Sequence, residues 1–161
     1  MKLLRAMLST IVLGFLANAA SADEHAIAAW TGRWAADVSK LPIPAEARPK
    51  SVTITFAEAA DGRLATRVEV VSPDSSVMYA ESVAELNGTP VAAKGNLEAD
   101  TVAVAMPAPG VLIMQLSLGG VPGSTRIYTL SDDHKSMVET AANFGADGRP
   151  YMRTNYFTRV Q

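Results

Sequence analysis

The sequence predicts an all-β domain, folded as a single antiparallel up-and-down barrel of about eight to ten strands. Turn-forming residues recur at intervals of 8 to 15 residues, the spacing of sandwiches and barrels built from hairpins. Between the turns, apolar and polar residues alternate, as in strands with one buried and one solvated face. Closing the sheet removes exposed edges, and sequential hairpins without a long crossover favour a barrel over a sandwich. The turns are Asp61-Gly62, Pro73-Asp74, Asn87-Gly88, Gly95-Asn96, Pro109-Gly110, Gly119-Gly120, Asp132-Asp133 and Asp147-Gly148.

The first 22 residues have the three-part layout of a secretory signal peptide. Lys2 and Arg5 precede an apolar run of about a dozen residues and an A-x-A exit at Ala20-Ser21-Ala22. An N-terminal membrane anchor is the alternative, but a bilayer-spanning helix needs about 20 apolar residues and the run is shorter. We expect cleavage before Asp23, a periplasmic or secreted protein, and one barrel domain over residues 23–161.

Composition restricts the function classes open to residues 23–161. The whole chain has no cysteine, which excludes disulfides, thiol nucleophiles and cysteine-based metal sites. Without the two basic residues of the signal peptide, 12 Lys and Arg face 16 Asp and Glu, and neither sign forms a run. Such an acidic, unpatterned surface argues against nucleic acid and anionic membranes as partners.

The elements follow in order along the chain. Residues 23–30 are rich in alanine and predict a turn or two of helix before the first strand. Residues 41–50 contain three prolines, so they cannot pair within a sheet and should cross one end of the domain as a stiff extended loop. The predicted strands are 33–38, 51–57, 66–70, 77–86, 102–106, 112–118, 124–130, 136–142 and 151–160.

The barrel interior is either open or filled, depending on the residues that face it. Barrels of about eight strands hold packed side chains or one small ligand. One predicted strand has the small residues Ala80, Ser82 and Ala84 on one face, which leave room if they point inward. Bulky residues of opposite strands fill that space in the alternative. Met114 and Met137 are polarizable and flexible, and serve either as ligand contacts or as core filler.

Polar residues near the centres of the last three strands have two possible placements. Arg126 and Tyr128 share one face of a strand, and Glu139 and Arg153 lie on the next two strands. If these faces line the cavity, the four side chains converge on a polar head group, and an arginine fork takes a carboxylate. Otherwise they form cross-strand charge pairs on the outer face, which is the placement we favour.

Catalytic and metal-binding constellations are sparse. His25 lies beside the predicted cleavage site, and His134 lies in the Asp132-Asp133-His134-Lys135 turn, where adjacent residues cannot form a triad. Two dispersed histidines do not make a zinc site, and the two aspartates lack the alternating acidic loop that calcium needs. We expect no metal and no cofactor, and Tyr128 and Glu139 remain as weak acid–base candidates.

Gly32-Arg33-Trp34 opens the first strand, and Arg159 lies on the last. This arrangement resembles the lipocalin, or wider calycin, family, in which a G-x-W plugs the closed end of an eight-stranded barrel and an arginine lies across the tryptophan. The resemblance implies that Gly32, Trp34 and Arg159 form such a plug. The chain also resembles a group of small secreted bacterial lipocalin-like proteins, over residues 32–50, 86–91, 95–102, 131–137 and 148–150.

The resemblance implies binding of a small hydrophobic or amphipathic molecule inside the barrel, by apolar burial with one or two polar anchors. Two other classes remain open. One is a protein-interaction or inhibitor module of the cell envelope, working through end loops such as residues 41–50. The other is a cofactor-free enzyme acting on an apolar substrate. The candidate ligand-binding residues are Met114, Arg126, Tyr128, Met137, Glu139 and Arg153.

Overall fold

Strands account for most of the chain. The structure is a computed structural model that describes residues 27–145 and 147–160. The predicted signal peptide and His25 lie outside the described residues. The strands are β1 (Gly32–Ala36), β2 (Ser51–Glu58), β3 (Leu64–Val71), β4 (Val77–Ala84), β5 (Asn87–Ala92), β6 (Lys94–Gly95), β7 (Thr101–Ala108), β8 (Val111–Leu118), β9 (Val121–Leu130), β10 (Ser136–Phe144) and β11 (Pro150–Val160).

Pairing between the first and last strands turns this meander into a barrel. The order is β5-β7-β8-β9-β10-β11-β1-β2-β3-β4-β6, with every described pair antiparallel. β1 lies between β11 and β2, with Trp34 opposite both Arg159 and Ile54. β5 and β6 end the order and bring the sheet almost to closure. The predicted all-β up-and-down barrel is confirmed. The described residues contain eleven strands rather than the nine ranges predicted, because β5 and the two-residue β6 lie between the predicted strands 77–86 and 102–106.

The segments between β1 and β2 differ from the prediction. β1 ends at Ala36, and a 3-10 turn over Val38–Lys40 follows, with the Asp37 carboxylate accepting from the Ser39 amide at 3.2 Å. The proline-rich segment is not extended throughout, because Ala45–Ala47 forms a second 3-10 turn. Proline fits the first positions of such turns, since its φ is already near the helical value.

The chain before β1 forms a helical turn over residues 27–30, which agrees with the short helix predicted there. No helix in residues 27–145 or 147–160 is long and apolar enough to cross a membrane.

The two ends of the barrel are packed differently. At the end where β1 begins, which we call the closed end, Trp30 and Trp34 are fully buried. The rings of Trp30 and Phe56 meet edge to face at 5.9 Å, and those of Phe56 and Tyr128 at 6.4 Å. At the opposite end, which we call the open end, the loop of residues 37–50 and the starts of β2 and β11 surround the interior.

Candidate ligand-binding cavity

A cavity of about 500 Å³ occupies the barrel toward the open end. Its apolar wall comes from β2 and β3, with Val52, Ile54, Val68 and Val70. Its rim includes the proline-rich loop, and a polar wall lies on β9, β10 and β11. Cavities of ~300 to 1,000 Å³ hold small ligands. The interior is therefore open at this end and filled by aromatic rings at the other.

The polar wall corrects the outer placement that the sequence analysis favoured. Arg126, Tyr128 and Glu139 point into the barrel, and Glu139 is only 2 % exposed. The alternation could not decide this, because both faces of β9 mix apolar and polar residues. The inward face carries Arg126 and Tyr128, while Ile127 lies on the outer face and is exposed.

Hydrogen bonds organise part of this wall. The Asn155 amide donates to Glu139 Oε1 at 3.0 Å across the β10–β11 pair. Arg126 Nε donates to Ser124 Oγ at 3.4 Å, and Arg126 Nη2 forms an ion pair with Glu98 Oε1. The buried charges are thus held by neighbours, which burial of an ionised group requires.

The hydroxyl of Tyr128 is protonated at neutral pH. Burial raises the pKa of Tyr128 above its ordinary value of 10.0, the nearby Glu139 carboxylate raises it further, and the Arg126 guanidinium opposes both. A phenol whose pKa lies above about 10 keeps its proton at neutral pH. Tyr128 can therefore donate a hydrogen bond within the barrel.

Two polar atoms of the cavity wall have unused bonding capacity. Arg153 Nε and Asn155 Oδ1 are buried without a hydrogen-bond partner, and both residues line the cavity. Residues two apart on a strand share a face, so Arg153 and Asn155 lie on the same wall, while these two atoms are themselves covered by protein. A buried polar atom left unpaired costs about 1 to 3 kcal/mol. Two more such atoms, Trp30 Nε1 and Thr66 Oγ1, belong to residues outside this wall.

A second chamber of about 60 Å³ adjoins the cavity. Its walls include Ala80 and Ser82, two of the small residues whose inward placement the sequence left open. Met114 and Tyr128 also line it. Met137, by contrast, lies fully buried in the apolar core and lines neither chamber. The structure therefore does not place this predicted ligand-binding residue at the cavity.

The structure also places residues that the sequence analysis passed over. Glu98 lies in a loop between β6 and β7, and nothing in its local pattern connects it with Arg126, 28 residues further on. Asn155 had a usable signal, because it shares a face with Arg153 on the last strand. Among the described residues, no cluster of three or more His, Asp or Glu is placed to hold a metal ion.

Gly32, Trp34 and Arg159 come together at the closed end. The Arg159 guanidinium lies 4.3 Å from the centre of the Trp34 ring. It donates to the carbonyl oxygens of His134 at 2.9 Å and Ala29 at 2.5 Å, and to that of Thr31. Gly32 adopts a φ of 134°, and a Cβ there would approach Arg159 Nη1 to 2.8 Å. Glycine thus leaves room for the guanidinium.

Comparison with known proteins supports the fold. No protein-family model matches the chain, and no curated protein matches it. A solved structure of zebrafish ileal bile acid-binding protein, complexed with cholic acid, superposes with a TM-score of 0.50 at 17 % sequence identity. The match covers 82 % of this chain and 99 % of the zebrafish chain. The chain thus has a calycin-type barrel fold.

Proposed function

We propose that this protein binds a small amphipathic molecule inside its barrel. The apolar body of the ligand lies against the β2–β3 wall, and its polar head group bonds to Arg126, Arg153 and Asn155. The observation that carries this function is the cavity of about 500 Å³, which has an apolar wall on one side and the side chains of Arg126, Arg153 and Asn155 on the other.

The apolar and polar walls of the cavity contact different parts of the ligand. Apolar surface removed from water contributes about 25 cal/mol per Å², which favours an aliphatic or ring body against Val52, Ile54, Val68 and Val70. A head group that accepts hydrogen bonds from the Arg126 and Arg153 guanidinium groups gains a charge-assisted interaction, which a purely apolar ligand cannot make. Tyr128 and Met114 border the adjoining chamber.

The zebrafish bile acid-binding protein supports this function through its fold alone. The structure of that protein is a complex with cholic acid, an amphipathic molecule. The ligand class proposed for this chain rests instead on its own cavity residues, since function depends on the site rather than the fold.

Binding is tested by displacement of the uncharged dye N-phenyl-1-naphthylamine with decanoate, cholate and 1-decanol. We expect at least one of the three to bind the wild-type protein, and Arg153→Met to weaken the tightest anionic ligand by about tenfold or more. Arg149→Met is the matched control, because Arg149 carries the same charge at the open end but is exposed. Failure of wild-type protein to bind any of the three, or equal losses in both variants, would overturn the proposal.

We also propose that the protein is exported and works in the periplasm or outside the cell. The support is the signal-peptide layout of residues 1–22. Amino-terminal sequencing of protein recovered from the periplasm or medium is expected to begin at Asp23. Recovery only from the cytoplasm, with Met1 retained, contradicts export.

A protein-interaction module is the second candidate function. Large apolar side chains are exposed on the β8–β9 and β10–β11 hairpins near the open end, and Leu118, Val121, Phe144 and Met152 are each more than half exposed. Apolar residues gathered on a surface mark interaction sites. Absence of every small ligand, together with a stable complex that is lost in Val121→Asp, would favour this function over the first.

A further inference from the structure

The loop of residues 96–100 lies across the side of the cavity and is fastened at both ends. The Asn96 amide donates to the Tyr79 carbonyl at 2.9 Å, and the Asn96 side chain accepts from the Tyr79 amide at 2.8 Å. At the other end, the Asp100 carboxylate accepts from the Gly119 amide at 2.9 Å. Between these anchors, Leu97 and Glu98 line the cavity and the adjoining chamber.

Gly95 allows this loop to begin so close to β4. Its φ is 135°, and a Cβ at this position would lie 2.1 Å from the Tyr79 carbonyl oxygen. No side chain fits there. The sequence therefore fixes the start of the loop against the barrel wall and directs the next residues over the interior.

The ion pair between Glu98 and Arg126 is unequal in exposure. The Arg126 side chain is 11 % exposed, whereas that of Glu98 is 58 % exposed. Returning Glu98 to water restores hydration to a group that is already half solvated. In contrast, removing the anion beside Arg126 leaves a buried positive charge without a partner, which is strongly unfavourable. Glu98 is therefore the replaceable member of the pair and Arg126 the fixed one.

The ion pair carries no net charge, because the Arg126 guanidinium is balanced by the one carboxylate of Glu98. A ligand with a single negative charge can take the place of Glu98 with no change in this balance.

We propose that Glu98 is a built-in competitor for the head group of an anionic amphiphile. In the free protein its carboxylate occupies Arg126, and a carboxylate, sulfonate or phosphodiester head group displaces it on binding. This inference rests on the proposed function and narrows its ligand class to singly charged anions. Neutral amphiphiles of the same length leave the ion pair intact and gain nothing from Arg126.

The first test compares Glu98→Gln with wild type, using dye displacement by decanoate and 1-decanol. Glu98→Gln is expected to bind decanoate about 3- to 5-fold tighter, as loss of a partly exposed competing pair implies, and 1-decanol within about twofold of wild type. Glu46→Gln is the matched control, because Glu46 is exposed in the loop at the open end and lies outside both chambers. It removes the same charge and should change neither affinity.

The second test measures how far the loop of residues 96–100 opens when a ligand binds to the wild-type protein. Hydrogen exchange at the amides of residues 97–99 is expected to speed up when decanoate binds and to stay unchanged with 1-decanol. Unchanged or weaker decanoate binding in Glu98→Gln, or slower exchange with decanoate, would overturn this inference while leaving ligand binding intact. If wild-type protein binds neither decanoate nor 1-decanol, the competitor role of Glu98 is overturned. If it binds cholate in that case, the proposed function of binding an amphipathic molecule still holds.

Discussion

Arg159 and Arg153 lie on the same face of β11, six residues apart, and their surroundings differ completely. Arg159 at the closed end lies over the Trp34 ring and donates to three backbone carbonyls. Arg153 lines the cavity, and its buried Nε has no partner. The fold supplies hydrogen-bond partners to the Arg159 guanidinium, whereas the Arg153 side chain lines the cavity. The contrast separates a structural end of the barrel from a binding end.

The largest effect on stability is expected from a truncation at the closed end of the barrel. Trp34→Ala is expected to lower the free energy of unfolding by about 3 to 5 kcal/mol, because it empties a fully buried site and removes the ring beneath Arg159. Urea denaturation measures the change. Met152→Ala, at an exposed position near the open end, should cost no more than about 0.5 kcal/mol. Similar losses in the two variants would contradict the division.

Truncating Arg159 and Arg153 in the same way separates a role in stability from a role in binding. Arg159→Met removes bonds to three carbonyls and should lower the free energy of unfolding by about 2 to 3 kcal/mol. Arg153→Met removes an unpaired buried donor and should change it by less than about 1 kcal/mol. Ligand affinity should follow the reverse pattern, measured at a temperature where both variants are folded. A larger stability loss in Arg153→Met would show that Arg153 supports the fold.

Gly32 tests how closely the closed end is fitted. Gly32→Ala places a Cβ at a φ of 134° and within 2.8 Å of Arg159 Nη1, so we expect a loss of about 1 to 3 kcal/mol in the free energy of unfolding. Gly123→Ala is the control, because the nearest atom to its added Cβ is the Leu116 carbonyl oxygen at 3.7 Å. Thermal melting of both variants provides the measurement, and equal midpoints would count against the fitted plug.

The smallest effect concerns Tyr128, which lies between the two ends. Its pKa is raised in the folded protein, mainly by burial, so the stabilisation is fully present below the ordinary value of 10.0 and is lost as the pH rises above it. This loss amounts to at most about 1.4 kcal/mol per pH unit. Urea denaturation at pH 9 to 11 should show it in wild type and a shallower fall in Tyr128→Phe. If the free energy of unfolding depends on pH identically in the two proteins, the pKa of Tyr128 is not the cause of the loss.

The barrel was predictable because its signals are local. Turn residues and period-two alternation are properties of a few neighbouring residues, and they located β8 at 112–118 against an observed Val111–Leu118. The same signals failed between 37 and 50. A 3-10 turn over Val38–Lys40 follows a strand that ends earlier than predicted, and a second one, Ala45–Ala47, interrupts the loop predicted as extended over 41–50. Turns of three residues leave almost no periodic pattern to detect.

The cavity was only partly predictable, because its features depend on distant parts of the chain. The sequence identified Arg126, Tyr128, Glu139 and Arg153 as a possible cluster but could not choose their face, since both faces of these strands mix polar and apolar residues. Glu98 reaches Arg126 from a separate loop. Whether a polar atom is left unpaired, as Arg153 Nε is, is decided only when all its neighbours are in place.

Native mass spectrometry of the protein isolated from cells that produce it naturally tests ligand binding most directly. We expect an added mass of one small molecule per chain, released by organic solvent, with an apolar body and one anionic head group. We also expect Arg153→Met, isolated in the same way, to carry much less of that molecule. A clean mass of the chain alone, with no later uptake of anionic or neutral amphiphiles, would contradict ligand binding inside the barrel.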